Sequence, residues 1–453
     1  MHSKMRKVPL LVGIAACLTI GLAACAPGGS TATSTASLGS VSKTVTKDKI
    51  TLTEWDQNTD GGSDTAQKEL NAAFEKKYPN ITIKRVSQSF SDLKTTLKLA
   101  LSGNTPPDVV QANQGYPDMG AFVKGGLLRP MDDYAKLYDW TSYYPSSLLK
   151  LNTFSSDGKT WQTGNLYGVS QTGELVGVYY NKAILDQLGV SAPKTIDDLT
   201  VDMAKAKAAG ILPLNYGNLE KSPGIHLYGV VQAAVAGATA VDDLVTAKSG
   251  SWTDKDNVTA AATIQGWVDK GYINAGSSGI SRDASLASFG KGGSAFYVDG
   301  TWQQQTLESD MGKTAVGFTT LTPVGASAPV TEGGEGLAWA ITSKSKHADA
   351  AAAYIDFITN AKAAQTLLDT GNLPAVLPTG YSPTSGTLAA DIADQYTEIS
   401  KASTVVPYLD YTTSTFYDTL TSGMQNLVGG QATPEQFTQS LQTDYEAFTK
   451  DRG

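Results

Sequence analysis

The run ITLTEWDQNTDGGSDTAQKELNAAFEKKYPNITIKRVSQSFSDLKTTLKLALSGNTPPDVVQANQGY, residues 50–116, alternates between two hydrophobic rhythms. Residues 50–55 read as a strand. Ala66, Leu70, Ala73, Phe74 and Tyr78 then recur at helical spacing, so a helix is expected over 64–78, stopped by Pro79 and Asn80. Residues 81–86 are rich in β-branched side chains and read as a second strand. Leu93, Leu97, Ala100 and Leu101 mark another helix that ends at Gly103, and Pro106-Pro107 leads into a third strand over 108–112. Strands and helices alternating at this spacing form parallel βαβ units, which places the chain in the α/β class with a doubly wound sheet. Such sheets bind ligands beyond the carboxyl ends of their strands. Residues 55–60 and 113–116 are therefore candidate site loops.

Outward from this stretch, the 453 residues exceed what one hydrophobic core supports, and two lobes are expected. A hydrophobic fraction of 41% with 17% charged residues is globular material, and apolar segments recur too often for a disordered chain. The formal charge of −8 and the lack of a basic stripe exclude a nucleic-acid binder, which needs clustered Lys and Arg. The cysteines are Cys17 and Cys25, so beyond residue 25 neither a disulfide nor a thiolate metal site can form. Histidine is limited to His2, His226 and His347, which leaves little material for a transition-metal site. No metal and no cofactor is expected.

Lys4, Arg6 and Lys7 precede an apolar run over 8–22 that is too short for a membrane-spanning helix, so residues 1–24 read as a signal peptide. Leu22-Ala23-Ala24-Cys25 resembles the lipobox of bacterial lipoproteins, whose cysteine is lipidated and becomes the new N-terminus. The other reading is a plain small-residue cleavage site. Lipidation of Cys25 would anchor the exported chain to the outer face of the cell membrane, each buried methylene contributing about 0.8 kcal/mol. The Ser, Thr, Gly and Ala composition over 26–47 reads as a flexible tether.

Five segments resemble, in order, the extracellular solute-binding proteins that include the maltodextrin-binding proteins. They are Phe74-Glu75-Lys76-Lys77-Tyr78-Pro79; Pro106-Pro107-Asp108-Val109-Val110; Leu166-Tyr167-Gly168-Val169 with Val178-Tyr179-Tyr180-Asn181-Lys182 and Ala192-Pro193-Lys194-Thr195; Phe289-Gly290-Lys291-Gly292 with Val298-Asp299-Gly300-Thr301-Trp302; and Gly334-Glu335-Gly336-Leu337-Ala338. The resemblance implies a two-lobed hinged solute-binding fold of the periplasmic-binding-protein type II kind. Residues 48–173 plus 342–385 would form the N-terminal lobe, and 174–341 plus 386–453 the C-terminal lobe. Hinge crossings are expected near 169–175, 336–343 and 381–387. It also implies a monomer that binds a neutral sugar or oligosaccharide and delivers it to the membrane subunits of an ABC importer. A final helix is expected from Thr433-Pro434, with a capping box to Gln436 and Phe437, Leu441, Tyr445 and Phe448 on its buried face.

A sugar offers a weakly apolar C–H face to rings and vicinal hydroxyls to flat polar groups, so a sugar site combines aromatics with amides and carboxylates. Trp55, Gln57 and Asn58 follow the first strand in this mixture, with Trp55 equally readable as core. Asn113, Gln114 and Tyr116 follow the third. The resemblance gives Glu174 a ligand-contacting role, against a hinge salt bridge, and makes Trp302 a stacking ring. Asp299 could cap a helix or bind hydroxyls. Asn218, after an apparent strand at 211–216, and Gly334 and Glu335 at a crossing are further candidates. So are Tyr411 and Phe416, from the aromatic cluster of Tyr408, Asp410, Tyr411, Phe416 and Tyr417. Trp267 and Trp339 read as core.

Catalytic signatures are absent. No His-Glu-x-x-His or Gly-x-Ser-x-Gly occurs. Gly312-Lys313-Thr314 has Leu307 where a phosphate loop needs glycine, and Gly334-x-Gly336 has Trp339 at the third position of a dinucleotide fingerprint. The neighbouring pairs Asp132-Asp133 and Asp197-Asp198 read as solvated caps. The expectation is a binding protein and not an enzyme. Its rivals are a receptor for an amino acid, polyamine or metal complex, and a surface adhesion lipoprotein.

Overall fold

The computed structural model describes residues 40–59 and 61–452. The signal segment, Cys25, the tether up to residue 39, and Asp60 lie outside the described residues. The chain opens with β1 (Ile50–Asp56), α1 (Gly61–Lys77), β2 (Ile81–Ser87), α2 (Phe90–Ser102) and β3 (Val109–Ala112). Further on come β4 (Val169–Ser170), β5 (Gly173–Asn181), β6 (Leu214–Asn215), α3 (Pro223–Ala236), α4 (Arg282–Gly290) and β7 (Phe296–Gly300). The rest is built on β8 (Val316–Thr319), β9 (Thr331–Glu335), β10 (Ala338–Ile341), α5 (Ala348–Thr359), α6 (Leu388–Ala402), β11 (Val405–Val406), α7 (Phe416–Val428) and α8 (Pro434–Arg452).

Two sheets organise these elements into two α/β lobes. The first has the order β2-β1-β3-β10-β4, with β1 parallel to both neighbours and β10 antiparallel to β3. The second has the order β11-β9-β5-β7-β6, with β8 also paired to β5. The chain leaves the first sheet at Gln171 and Thr172, between β4 and β5. It returns at Gly336 and Leu337, between β9 and β10. A third passage separates α5, packed on the first sheet, from α6, packed on the second.

Local chemistry explains the element ends. Ser89 caps α2 by accepting the Asp92 amide at 3.2 Å. At α8, Gln436 N donates to Thr433 Oγ1 at 3.2 Å while Thr433 N donates to Gln436 Oε1 at 2.9 Å, the reciprocal box expected there. Phe437, Leu441 and Tyr445 are buried, and Phe448 packs half-buried against the same core.

Four expectations need correction. Residues 41–47 are not free tether, because Val41 and Val45 pack on the first-sheet core and Ser42 N donates to Asp349 Oδ1 at 3.1 Å. Ala73 is exposed, and the polar Gln67 and Asn71 are buried in the inner face of α1, joined to Tyr354 and Glu54. The strand expected over 211–216 shrinks to Leu214–Asn215, since Pro213 has no N–H to donate and the Tyr216 amide goes to Asn274 Oδ1. The strand at 338–341 belongs to the first sheet, so the change of lobe comes at Gly336 and Leu337 and not after 341.

Phe74 fastens α1 to its sheet. It is fully buried, with ring centroids 4.9 Å from Tyr78, 5.1 Å from Tyr354 and 5.5 Å from Phe357. Phe74→Ala should lower stability by about 3–5 kcal/mol in urea unfolding. A loss under about 1 kcal/mol would mean the helix is held by other contacts.

Candidate functional site

Three of the predicted loops meet where the chain changes sheets. β3 is buried along its length, and Asn113 and Gln114 follow it into the interior. Gln114 Nε2 donates to Gly336 O at 2.9 Å, and its Oε1 accepts the Tyr411 hydroxyl at 3.0 Å. Gly115 has φ +74°, and a Cβ there would stand 2.3 Å from Tyr411 Cβ, so glycine is required for this approach. Asn113 Nδ2 donates to Asp118 Oδ2 at 3.1 Å, and Lys94 Nζ sits 2.5 Å from the same carboxylate. Burial opposes the Lys94 charge, but Asp118 and Asp410 outweigh it and hold the ammonium above its ordinary value.

On the second-sheet side, Glu174 is half-buried at the start of β5, and its Oε2 accepts the Tyr408 hydroxyl at 2.9 Å. Burial pushes this carboxyl up to about 7, against the opposing Tyr408 bond. His226, on α3, lies 2.7 Å from Glu332 Oε1. Its ring is 5.8 Å from Tyr408 and 5.3 Å from Trp302. The Arg282 guanidinium carbon is 5.3 Å from the Trp302 ring centroid. Asp299 takes Arg282 through Nε at 2.8 Å and Nη2 at 2.5 Å, and also accepts Tyr297 OH, Gln303 Nε2 and Gly300 N. Burial alone would raise the Asp299 carboxyl, yet Arg282 holds it below the ordinary range.

These groups form one connected band: Gln114, Tyr411, Tyr408, His226, Trp302 and Arg282, with Glu174 beside it. Trp302 is half-buried, and its Nε1 is a buried donor with no protein acceptor among the described residues. A small recess of about 10 Å³ lies nearby, lined in part by Phe90, Lys94, Gln111, Asn113, Asp118 and Leu337. Such an arrangement offers ring faces together with a carboxylate, amides and hydroxyls, which is binding chemistry.

The structure thus joins Gln114, Glu174, Trp302 and Tyr411, and puts Asn113 at the recess. Trp55 is half-buried against the core, while the Gln57 amide goes to Gln111 Oε1 and Asn58 N to Asp56 Oδ1. Tyr116 is buried against Phe154, Trp161 and Phe448. Phe416 is core: it is fully buried on Trp252 at 4.6 Å, because its side of α7 faces inward. Asn218 is buried too, its Oδ1 holding the Gly224 amide at the start of α3. Asp299 is committed to Arg282 and its side chain does not cap the helical turn Thr301–Gln303 that follows. Glu335 is buried with Asn152 Nδ2 at 2.6 Å, and Gly334, at φ +109°, packs near Leu151 and Val405. Trp267 and Trp339 are core, as are Trp140 and Trp252.

Sequence reasoning missed His226, Arg282, Glu332 and Lys94. Each sits on a separate element, and none carries a local motif.

Comparison with known proteins agrees with this architecture. The family model described as bacterial extracellular solute-binding protein matches residues 58–365. An ABC transporter extracellular-binding protein of Pyrococcus horikoshii is 27% identical over 79% of this chain and 77% of its own length. A multiple sugar-binding protein of Streptococcus mutans is 24% identical over 81% of this chain and 82% of its own. A solved chitin oligosaccharide binding protein superposes with a TM-score of 0.77 at 22% identity, covering 89% of this chain and 100% of that one. Its likeness is one of fold.

Glu335 supplies a pH signature for the crossing. Burial lifts its carboxyl from 4.5 to about 8. Between those values the native state holds a proton that the unfolded chain releases, so this group's contribution to stability falls as pH rises. Glu335→Gln should flatten the decline of Tm between pH 4.5 and about 8 and leave the variant more stable than the parent at pH 8. Parallel Tm profiles for the two proteins would rule this out.

Proposed function

The chain belongs to the family of bacterial extracellular solute-binding proteins, and from that premise we propose that it captures a neutral oligosaccharide and delivers it to an ABC importer. The family and the relatives described above are binding proteins, so the chain is a binding protein and not an enzyme. The observation that carries the sugar reading is the band from Tyr411 to Trp302 beside Glu174, in which rings and hydroxyl-seeking groups alternate within contact distance. A pyranose would lay its C–H face on Trp302 and give hydroxyl protons to Glu174. Trp302 Nε1 would donate to a sugar oxygen. Asp299 is already matched by the Arg282 guanidinium, which favours a neutral ligand over an ionic one. The sugar-binding relative of Streptococcus mutans points the same way.

Capture works by closure. The passages at 171–172 and 336–337 act as hinge strands, and ligand contacts from both lobes raise the closed population. Shifting that balance from 1:99 to 99:1 requires about 5.5 kcal/mol of preference for the closed form. Cys25, lipidated after export, holds the monomer to the outer face of the membrane, where the importer subunits lie.

Calorimetric titration with neutral di- to pentasaccharides, set against amino acids, polyamines and metal complexes, tests the reading. Saccharide heats are expected, with Trp302→Ala weakening binding roughly two- to tenfold and Glu174→Gln roughly tenfold or more. Heats from the other classes alone would sink it. The anchor is tested separately: Cys25→Ser should move the protein from the membrane fraction to the soluble one, and an unchanged distribution would reject lipidation.

A further inference from the structure

The Trp302 ring is bordered by its own neighbour Gly300 and by groups from two other parts of the chain. Its ring folds back over the backbone of Gly300, where a Cβ would stand 2.2 Å from Cη2 and Cζ3. The Arg282 guanidinium, from the first turn of α4, lies 5.3 Å from the ring centroid. The His226 ring, from α3, lies 5.3 Å away at 56° to the indole plane. Neither neighbour is free to wander. Arg282 is forked onto Asp299 by two hydrogen bonds, and its backbone amide donates to Glu220 Oε2 at 2.9 Å. His226 is held by Glu332 at 2.7 Å. Asp299 is in turn fixed by Tyr297, Gln303 and the Gly300 amide, the same residue on which the indole rests.

We propose that Arg282 is a positioning residue for sugar recognition: pinned by Asp299, its guanidinium lies over the indole of Trp302 and fixes the plane on which a pyranose stacks. The proposal rests on the stacking role given to Trp302 above and adds the group that sets its geometry. The physical case is one of preorganisation. An indole with two free torsions loses rotamer freedom when a ligand stacks on it, and a ring already clamped loses less. A guanidinium also suits the task better than an ammonium. It is planar, keeps its fork on the carboxylate while meeting the ring, and is always charged. Lysine could supply the charge but not the bidentate anchor that fixes where the charge sits.

Two measurements test this. The first needs no ligand. The near-ultraviolet circular dichroism of the parent minus that of Trp302→Phe isolates the Trp302 band, and a clamped ring gives a strong one. Arg282→Lys should reduce this band by more than half while the melting temperature shows the variant folded. The second is a double-mutant cycle read by calorimetry, using maltotriose, raffinose and chitotriose as probes. Arg282→Lys should weaken the responding sugar roughly tenfold in the parent and no more than about twofold in the Trp302→Ala background, because it acts through the indole. Asp299→Asn, which keeps the arginine but loosens its anchor, should follow the same pattern and serves if Arg282→Lys folds poorly.

An unchanged Trp302 band, or an equal loss in both backgrounds, overturns the positioning role. If Trp302→Ala leaves sugar binding intact, the stacking reading itself fails and the proposal falls with it. If Trp302→Ala weakens binding while Arg282→Lys and Asp299→Asn do not, only the positioning claim is lost.

Discussion

One buried side-chain amide ties the two lobes to their crossings. Gln114 leaves the end of β3 fully buried, gives its Nε2 to the carbonyl of Gly336, and receives the Tyr411 hydroxyl on its oxygen. Ser170 Oγ donates to that same carbonyl at 2.7 Å. The end of the first sheet, both crossing peptides and the C-terminal segment therefore share one hydrogen-bonded knot. An unpaired polar group in such a place costs about 1–3 kcal/mol, so the segments are held in mutual register. Close approach is what makes the knot possible. A Cβ on Gly336 would fall 2.3 Å from Thr172 Oγ1 and 2.6 Å from Glu174 Oε1, and the crossing would have to open.

From this knot the electrostatics of the cleft follow. Asp299 has a guanidinium, Glu332 an imidazole, and Glu335 an amide from Asn152. Glu174 has a single phenol. The consequences differ in sign: burial raises Glu174, Glu332 and Glu335, whereas Arg282 carries Asp299 below the ordinary carboxylate range. A carboxyl with few donors gains most from new ones, since each donor stabilises its charged form. Glu174 and Glu332, whose Oε2 has no protein donor among the described residues, both keep such capacity, and of the two it is Glu174 that is only half-buried. Hydroxyl protons arriving from a ligand would find their strongest acceptor there.

How much of this was legible before the structure depends on distance along the chain. The opening βαβαβ run follows local periodicity, and its strands and helices lie within a few residues of where the pattern puts them. Two-residue strands such as β4, β6 and β11 are too short to carry a period, so pairing alone defines them. Gln114 stood out because polar and aromatic residues crowd the end of its strand, Tyr411 because it lies in an aromatic cluster, and Glu174 and Trp302 through the resemblance of their segments to the solute-binding proteins. Arg282 did not, since an arginine opening a helix beside Asp283 reads as solvated surface. Phe416 was chosen from a dense aromatic cluster, but density says nothing of which side of α7 faces Trp252. Asn218 looked like a loop amide reaching for ligand, although its oxygen is spent on the first turn of α3.

The placement of the tryptophans separates function from packing. Trp252, Trp267 and Trp339 are buried among apolar neighbours, which is what hydrophobic burial alone selects. Trp302 instead packs beside a guanidinium and an imidazole, each hydrogen-bonded to a buried carboxylate. Removing those charges from water is expensive, and well-packed apolar residues of similar volume are often as stable or more so. A fold selected for stability alone has no reason to set one indole against a buried Arg–carboxylate pair and a second buried carboxylate. Local rules broken at one place and satisfied elsewhere mark a position kept for what it does. By that reasoning Arg282, Asp299, His226 and Glu332 belong with Trp302 in the proposed site.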